Sequence, residues 1–242
     1  MTEIPKGWSR VRLEDITDVL DFEREPINSS ERENRINGKK DSDLFPYYGA
    51  TGQVGFIDSF RSKGQRVLLG EDAAPFLDPV KDKAYLANGR FWVNNHAHVL
   101  AGACGLIRNE FLCYQLNTVD YHPFVTGSTR LKLTSSAMKQ IPMVAAPAAE
   151  QTRIVAKLEE LLSDLDAGVA ELKAAQKKLG QYRQSLLKAA VEGALTAEWR
   201  SKNQPTETGA QLLERILKER RARWEAKQLA KFDEQGKTPP KC

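Results

Sequence analysis

The sequence predicts an α+β fold, in which a globular domain with an irregular β-sheet and short helices precedes a long coiled-coil-like helix and a second, basic helix. Residues before about 145 mix aromatic, glycine and β-branched residues in short runs, which is typical of strands and turns. From 147 onward the chain is rich in Ala, Leu, Glu, Lys and Gln and has no proline until Pro205, as a long helix requires. A polar stretch, 200–208, then separates that helix from the second one.

Short apolar runs bounded by turn residues predict the strands of the globular domain. A helix is expected over 105–117, where apolar side chains recur at helical spacing. Ser135 or Ser136 is expected to cap a short turn that ends near Gln140. The predicted strands are 66–70, 91–93, 97–101, 131–133 and 141–144.

The long helix carries a leucine at every seventh position over five heptads. Pro147, with Glu150 in the first turn, favours a helix start at this point. With the leucines at heptad position a, most d positions hold small residues, which let two helices approach closely. About 45 residues at 1.5 Å each give a rod of roughly 65–70 Å, and so narrow an apolar stripe needs a partner. Its leucines are Leu158, Leu165, Leu172, Leu179 and Leu186.

The second helix is expected to run from about 209 to 232, because Thr208 and Gln211 have the spacing of a capping box. Its basic run, 218–223, is either a solvated helix face or a docking or phosphate-binding surface. The sequence thus predicts three parts: a globular domain over 1–146, a long helix over 147–199, and a linker with the basic helix and a tail over 200–242.

The net charge of +4 is unevenly distributed. Residues 1–150 hold 18 Lys and Arg against 19 Asp and Glu, whereas residues 151–242 hold 18 against 13, so any basic face of the globular domain must be local. Three cysteines without a CxxC pair favour a reducing, cytoplasmic location. No apolar run approaches the ~18 residues that a membrane span needs, and the N-terminus lacks the pattern of a signal peptide.

Motifs for catalysis are missing from the sequence. It has neither a phosphate-binding loop for ATP nor a glycine-rich cofactor loop. His96 and His98 are spaced to share one side of a strand but lack a further ligand close by in sequence, which favours polar strand residues over a contact role. Glu71 and Asp72 lack the second acid and lysine that a metal nuclease needs. We therefore expect no catalytic residue, no metal and no cofactor.

Two segments could instead contact DNA. Residues 47–60 place two tyrosines before three glycines, which let a backbone approach another surface; a tight turn with core tyrosines is the alternative. Residues 124–143 surround a glycine with short hydroxyl side chains, and Arg130 and Lys132 would project to one face of a strand. Such groups suit phosphate contacts, and an arginine can also read guanine; a solvated hairpin is the alternative.

Four segments of the chain, taken in order, resemble the specificity (S) subunits of type I restriction–modification enzymes. PKGWSRVRLEDI resembles the start of their target recognition domain, and YYGATGQVGFID a segment within it. GSTRLKLTSSAMKQIPM, followed by PAAEQTRIVAKLEELLSDLD, resembles the domain's end and its passage into a conserved helix, which EGALTAEWR would close. The resemblance implies a target recognition domain over 1–146 and a conserved spacer and dimerisation helix over 147–199.

The resemblance also implies a non-catalytic subunit that selects double-stranded DNA with a split recognition site for methyltransferase (M) and restriction (R) subunits. Family members usually carry two recognition domains and two conserved helices, so this chain is either a natural half-subunit or a truncated one. A homodimer through the long helix would supply the second domain. The residues expected to face DNA are Tyr47, Tyr48, Thr51, Gln53, Lys63, Ser128, Arg130 and Lys132.

Two other functions remain open from the sequence. A coiled-coil scaffold would use the same heptads without sequence-specific DNA binding. A nuclease that has acquired this recognition domain would need an acidic metal-binding cluster.

Overall fold

The computed structural model describes residues 4–234 and confirms the predicted α+β class. The chain divides into two compact units, Met1–Asp166 and Ala167–Cys242. Over residues 4–234, no helix has both the length and the apolar composition needed to cross a membrane.

All strands of the described residues lie in the first unit. They are β1 (Ser9–Arg12), β2 (Thr17–Val19), β3 (Phe45–Gly49), β4 (Gly52–Ile57), β5 (Ser62–Lys63), β6 (Arg66–Gly70), β7 (Ala84–Ala87), β8 (Arg90–Val93), β9 (Ala97–Gly102), β10 (Val125–Thr126), β11 (Lys132–Leu133) and β12 (Pro142–Ala145). The α-helices are α1 (Leu13–Ile16), α2 (Ser29–Ile36), α3 (Asn109–Thr118), α4 (Ser135–Lys139), α5 (Ala148–Val191), α6 (Ala197–Lys202) and α7 (Gly209–Glu234).

The main core of the first unit lies on an antiparallel sheet of order β2-β9-β6-β7. Val67 and Leu69 of β6 are fully buried, as is Leu100 of β9. Helix α3 contributes Leu112 and Leu116 to the same cluster, because residues four apart lie on one face of a helix. Burying each such side chain contributes about 1.5–3 kcal/mol to folding.

A second sheet, of order β4-β3-β8-β5, contains one parallel pair. Strand β3 forms an antiparallel hairpin with β4 and runs parallel to β8. The carboxyl ends of β3 and β8, at Gly49 and Val93, therefore lie at the same edge. The β3–β4 turn is tied down by Tyr85 of β7, whose hydroxyl donates to the carbonyl of Gly49.

All five strands predicted from the sequence are present, as β6, β8, β9, β11 and β12. The predicted 105–117 helix begins only at Asn109, because Gly105 takes the left-handed φ of +67° and Arg108, the N-cap residue, is extended at φ −72° and ψ 132°. The expected cap at Ser135 or Ser136 is wrong: the Thr134 hydroxyl accepts from the N–H of Ala137 at 3.3 Å.

Helix α5 begins directly after Pro147, and its first turns belong to the first unit and pack within it. The side chain of Gln151 is buried; it accepts from the N–H of Arg108 at 2.9 Å and donates to the carbonyl of Ala146 at 2.9 Å. Val155, one turn later, is buried with Phe111 of α3. The helix start is thus fixed by tertiary contacts as well as by its proline.

Further along α5 the leucine stripe is uncovered. Leu158 is half-buried, whereas Leu165, Leu172, Leu179 and Leu186 are exposed, Leu172 by 72%. The helix ends at Val191, earlier than the predicted limit of 199, because Gly193 takes the left-handed φ of +75°. The domain limits predicted at 146/147 and 199/200 stay predictions.

Helix α7 starts with the predicted capping box. The N–H of Thr208 donates to the side-chain oxygen of Gln211 at 2.8 Å, and the N–H of Gln211 donates to the Thr208 hydroxyl at 3.3 Å. Arg215 adds two hydrogen bonds to the carboxylate of Glu207, at 3.0 and 2.7 Å. The expected start of this helix is therefore confirmed.

Candidate nucleic-acid interface

Four loops of the first unit meet at one edge, and we call residues 49–52, 71–73, 94–96 and 127–131 the four-loop edge. Backbone hydrogen bonds join them or their flanking residues: Asn94 N–H donates to Tyr48 O at 3.0 Å, and Glu71 N–H donates to His96 O at 2.8 Å. The N–H of Ala73 donates to Leu131 O at 3.3 Å. Segments far apart in sequence therefore form one surface.

Close approach of the backbone explains two glycines near this edge. A Cβ at Gly70 would lie 2.3 Å from the Cβ of Ala74 and 3.1 Å from the carbonyl oxygen of Ala50. A Cβ at Gly127, where φ is +101°, would lie 2.5 Å from the carbonyl oxygen of Arg130. Only glycine fits both positions without a shift of the backbone.

Arg130 and Lys132 are both exposed at this edge, yet each is held by an acid. A guanidinium nitrogen of Arg130 lies 2.8 Å from the Asp72 carboxylate, and the Lys132 ammonium lies 3.2 Å from the Glu71 carboxylate. Their side chains are 57% and 52% exposed. Both cations can thus still reach an external anion or base.

A buried polar network lies beneath Lys132. His98 is completely buried, with Nδ1 2.8 Å from the Asp21 carboxylate and Nε2 3.1 Å from the carbonyl oxygen of Leu133. Both partners are hydrogen-bond acceptors, so the ring nitrogens are the donor side of these contacts. Arg24 bonds to the carboxylates of both Asp21 and Glu71. The network ties β11, which follows the 127–131 loop, to β9.

The acids of this network favour their ionised form. Burial alone would raise the pKa of Asp21, but hydrogen bonds from His98 and Val99, with the charges of His98 and Arg24, lower it below its usual value. Burial likewise opposes ionisation of Glu71, yet the hydrogen bonds from Arg24 and Lys132 lower its pKa. Lys132 therefore faces a charged Glu71 at neutral pH.

The two predicted tyrosines have different environments. Tyr47 is only 3% exposed, packs with Ile57 and Trp92, and directs its hydroxyl to the backbone of Ile27; its side chain supports the sheet and offers no open face to DNA. Tyr48 is half-buried, and its ring packs 5.8 Å from that of Tyr85. Burial raises the pKa of the Tyr48 hydroxyl, which therefore stays protonated at neutral pH.

The other predicted residues divide into a group at the edge and one outlier. Thr51 is exposed at the tip of the β3–β4 turn, and Gln53 follows it on β4, with its amide donating to Gly55 O at 3.1 Å. Ser128 is exposed in the 127–131 loop. Lys63 pairs with Arg90 at the beginning of β8, whereas the four-loop edge follows the end of that strand.

Three residues of the edge were missed or read differently from the sequence. In the sequence, Glu71 and Asp72 were considered only as ligands of a metal nuclease, a function that was not favoured, and His96 only as a polar strand residue. In the structure the His96 ring lies 2.8 Å from the Asp72 carboxylate. Within residues 4–234, no group of three or more His, Cys, Asp or Glu side chains is placed to hold a metal ion.

Comparison with known proteins identifies the family of this domain. The profile described as Type I restriction modification DNA specificity domain matches residues 5–175. The chain belongs to this family. The match covers the whole strand-containing region and the first part of α5.

Curated relatives in this family are longer proteins. A putative type I restriction enzyme specificity subunit of Haemophilus influenzae is 34% identical over 149 residues, covering 62% of this chain and 36% of that protein. The EcoDI specificity subunit of Escherichia coli is 26% identical over 203 residues, covering 83% of this chain and 41% of that protein. The chain thus spans about two fifths or less of the length of these relatives.

Solved structures share the fold at low sequence identity. A chain from a type I R-M system superposes with a TM-score of 0.60 at 18% identity, covering 78% of this chain and 47% of that one. The HsdS subunit from Thermoanaerobacter tengcongensis gives a TM-score of 0.51 at 20% identity, covering 78% and 46%. These likenesses support the family assignment at the level of the fold.

Proposed function

We propose that this chain is a DNA sequence-recognition subunit of a type I restriction–modification system and that the four-loop edge contacts the duplex. The observation that carries the proposal is the side-by-side display of Arg130 and Lys132 at an edge of a DNA specificity domain. Cationic side chains supply the attraction to phosphates, while an arginine can also read a base edge.

The proposal gives the chain no catalytic step of its own. Methylation and cleavage would belong to methyltransferase (M) and restriction (R) partners, which this chain would direct to one half of a split site. Tyr48, Thr51, Gln53 and Ser128 would add contacts around the two cations. Lys63, at the other end of β8, would touch DNA only if the bound duplex extends beyond the edge.

The exposed stripe of α5 is proposed to bind the same stripe of a second copy. Leucines repeated every seven residues suit a helix pair, and an isologous contact would use each exposed leucine twice. The pair would supply a second recognition domain, with the helices acting as a spacer between half-sites.

The proposed function is tested by selection of DNA from random sequence. The full chain, alone and together with a type I modification subunit, would be incubated with random duplexes, and the bound DNA sequenced. We expect enrichment of one short motif or of a split pair of motifs. Binding without base preference under both conditions would contradict DNA recognition and favour a scaffold.

The position of the interface is tested by comparing Arg130→Ala with the control variant Lys63→Ala. We expect Arg130→Ala to weaken binding to the selected duplex by about 1–3 kcal/mol, whereas Lys63→Ala changes affinity little. Titration at several salt concentrations measures both. An unchanged affinity and salt dependence for Arg130→Ala would remove the 127–131 loop from the interface.

The helix pair is tested by Leu172→Asp, with Ala174→Asp as the matched control on the outer face of the same turn. A charge in the middle of the leucine stripe must be desolvated when the two helices associate. We therefore expect the dimer dissociation constant to rise by about 100-fold or more, a loss of roughly 3 kcal/mol of association free energy. Sedimentation equilibrium measures it. A dimer that survives Leu172→Asp and dissociates with Ala174→Asp would place the contact elsewhere.

A further inference from the structure

Asp72, His96 and Arg130 form a compact triad at the four-loop edge. One oxygen of Asp72, Oδ1, lies 2.8 Å from His96 Nδ1 and 2.8 Å from a terminal nitrogen of Arg130. Because a carboxylate only accepts, both neighbours donate to it. The two donor nitrogens lie 3.4 Å apart, so a single oxygen fixes both side chains.

Backbone contacts hold two members of the triad, Asp72 and His96, in place. Asp72 forms a β-bridge with Lys132, and the next residue, Ala73, takes the left-handed φ of +53°. The N–H of His96 donates to the Asn94 side chain at 2.8 Å. A non-glycine residue in the left-handed region is costly and occurs where the surrounding structure imposes it. The carboxylate therefore sits on a constrained turn.

The three side chains differ in exposure: the acid that anchors the other two is mostly buried, and the arginine is mostly exposed. The Asp72 side chain is 18% exposed, that of His96 40%, and that of Arg130 57%. The carboxylate uses one guanidinium nitrogen of Arg130, and a guanidinium carries five N–H donors in a rigid fork. Donors therefore remain for a ligand in front of the acid.

The acid decides which kind of ligand fits. An arginine that only neutralises a phosphate gains nothing from a neighbouring carboxylate, because the carboxylate repels the phosphate. An arginine that reads a base must instead present its fork at one orientation, and guanine offers N7 and O6 as paired acceptors in the major groove. A fixed orientation reduces the rotamer entropy lost on binding.

We propose that Arg130 reads a guanine base edge and that Asp72 and His96 are positioning residues for it. This inference rests on the proposed function, DNA recognition, and identifies the residue that determines its specificity. Asp72 holds the guanidinium, and His96 holds the carboxylate through the same oxygen.

The test uses the duplex that the wild-type full chain selects, with its modification partner if selection requires one. Each G·C pair of the motif is replaced singly, and the ratio of affinities for the motif and each replacement is measured. Variants are Arg130→Ala, Asp72→Asn and His96→Gln. The control is Asp120→Asn, since Asp120 also pairs with a histidine, His122, at 2.6 Å, but lies outside the four-loop edge.

We expect Arg130→Ala to reduce discrimination at one G·C position by roughly tenfold or more. Asp72→Asn should reduce it at the same position by about two- to tenfold, the range of one net hydrogen bond, and His96→Gln by less. Asp120→Asn should leave every ratio unchanged. A ratio of affinities is insensitive to the fraction of folded protein, so a stability loss alone cannot produce this pattern.

Two results would overturn the inference while leaving the proposed function intact. The first is a motif whose G·C discrimination survives Arg130→Ala or Asp72→Asn. The second is a higher affinity of Asp72→Asn for all duplexes, with a steeper salt dependence, which identifies a phosphate contact. Failure of the wild-type chain to select any motif would instead count against the proposed function itself.

Discussion

The two units of the chain use their apolar residues in opposite ways. In the first unit, leucines such as Leu69, Leu100 and Leu112 are completely buried. In the described part of the second unit, Leu172, Leu179 and every other leucine are exposed. The first unit therefore carries its own core, while the helices of the second depend on local interactions until something covers them.

Charged residues show the same contrast. In the first unit they pair across long stretches of sequence, as in Arg24–Glu71 and Arg66–Glu23. In the second they pair along a single helix, as in Lys202–Glu198 and Arg221–Glu225. Exposed pairs four residues apart contribute only about 0.3–0.5 kcal/mol each. Ionic contacts thus link distant segments of the globular unit but add little to the helices.

The largest expected effect contrasts Leu69→Ala with Leu172→Ala. Loss of the buried Leu69 side chain should lower the free energy of unfolding by about 2–5 kcal/mol, because it leaves a cavity. The same change at Leu172 should shift it by no more than about 0.5 kcal/mol. Urea unfolding at concentrations where the chain is monomeric measures both. Equal losses would mean that the α5 stripe is already covered within the chain.

A smaller effect concerns the acid limit of the first unit. Since the pKa of Asp21 is lowered in the folded chain, its contribution is full above about pH 4 and is lost as pH falls through the folded-state pKa. Asp21→Asn should lower the stability at neutral pH by about 1–3 kcal/mol and make its decline below pH 4 shallower. Urea unfolding at stepped pH values measures this slope.

The control for that experiment is Asp18→Asn, which removes an exposed carboxylate on β2. Its acid profile should match that of the wild-type chain. An Asp21→Asn profile as steep as the control would show that acid unfolding is governed by other carboxylates.

The smallest expected effect lies at the start of α7. Thr208→Ala removes the hydroxyl that accepts from the N–H of Gln211 and should destabilise the first turn by about 1 kcal/mol. Amide hydrogen exchange at Gln211 and Leu212 should become faster, while the control Thr206→Ala leaves it unchanged. Identical exchange in both variants would mean that the capping box contributes nothing in solution.

Sequence reasoning succeeded where a signal is local. Strand β6 contains a continuous apolar run, β9 is an apolar run interrupted by His98, and the start of α7 is a four-residue capping motif. It failed where the chain departs from a regular pattern. Strands β3 and β4 were read as a glycine-rich loop, because Gly49, Gly52 and Gly55 obscure the alternation. The late start of α3 was missed because the extended backbone of Arg108 leaves no signal in composition.

The candidate interface was foreseen only in part. Arg130 and Lys132 were chosen on the expectation that both lie on one strand and share a face. Both are exposed, but only Lys132 belongs to a strand, β11, and Arg130 lies in the loop before it. Tyr47 was chosen for its sequence neighbours, but the parallel pairing of β3 with β8 puts its ring against Trp92. No local pattern distinguishes a buried tyrosine from an exposed one.

The sequence by itself determined the periodic features: the division into strand-rich and helical parts, the start of α5 after Pro147, and the leucine stripe that leaves a helix in need of a partner. Only the tertiary structure decided that Asp72 holds Arg130 and that Asp21 holds His98, because these partners are 58 and 77 residues apart. Helix and strand periodicities arise from neighbours along the chain. A side-chain contact between distant residues depends on how the sheets bring their loops together, and no spacing in the sequence encodes it.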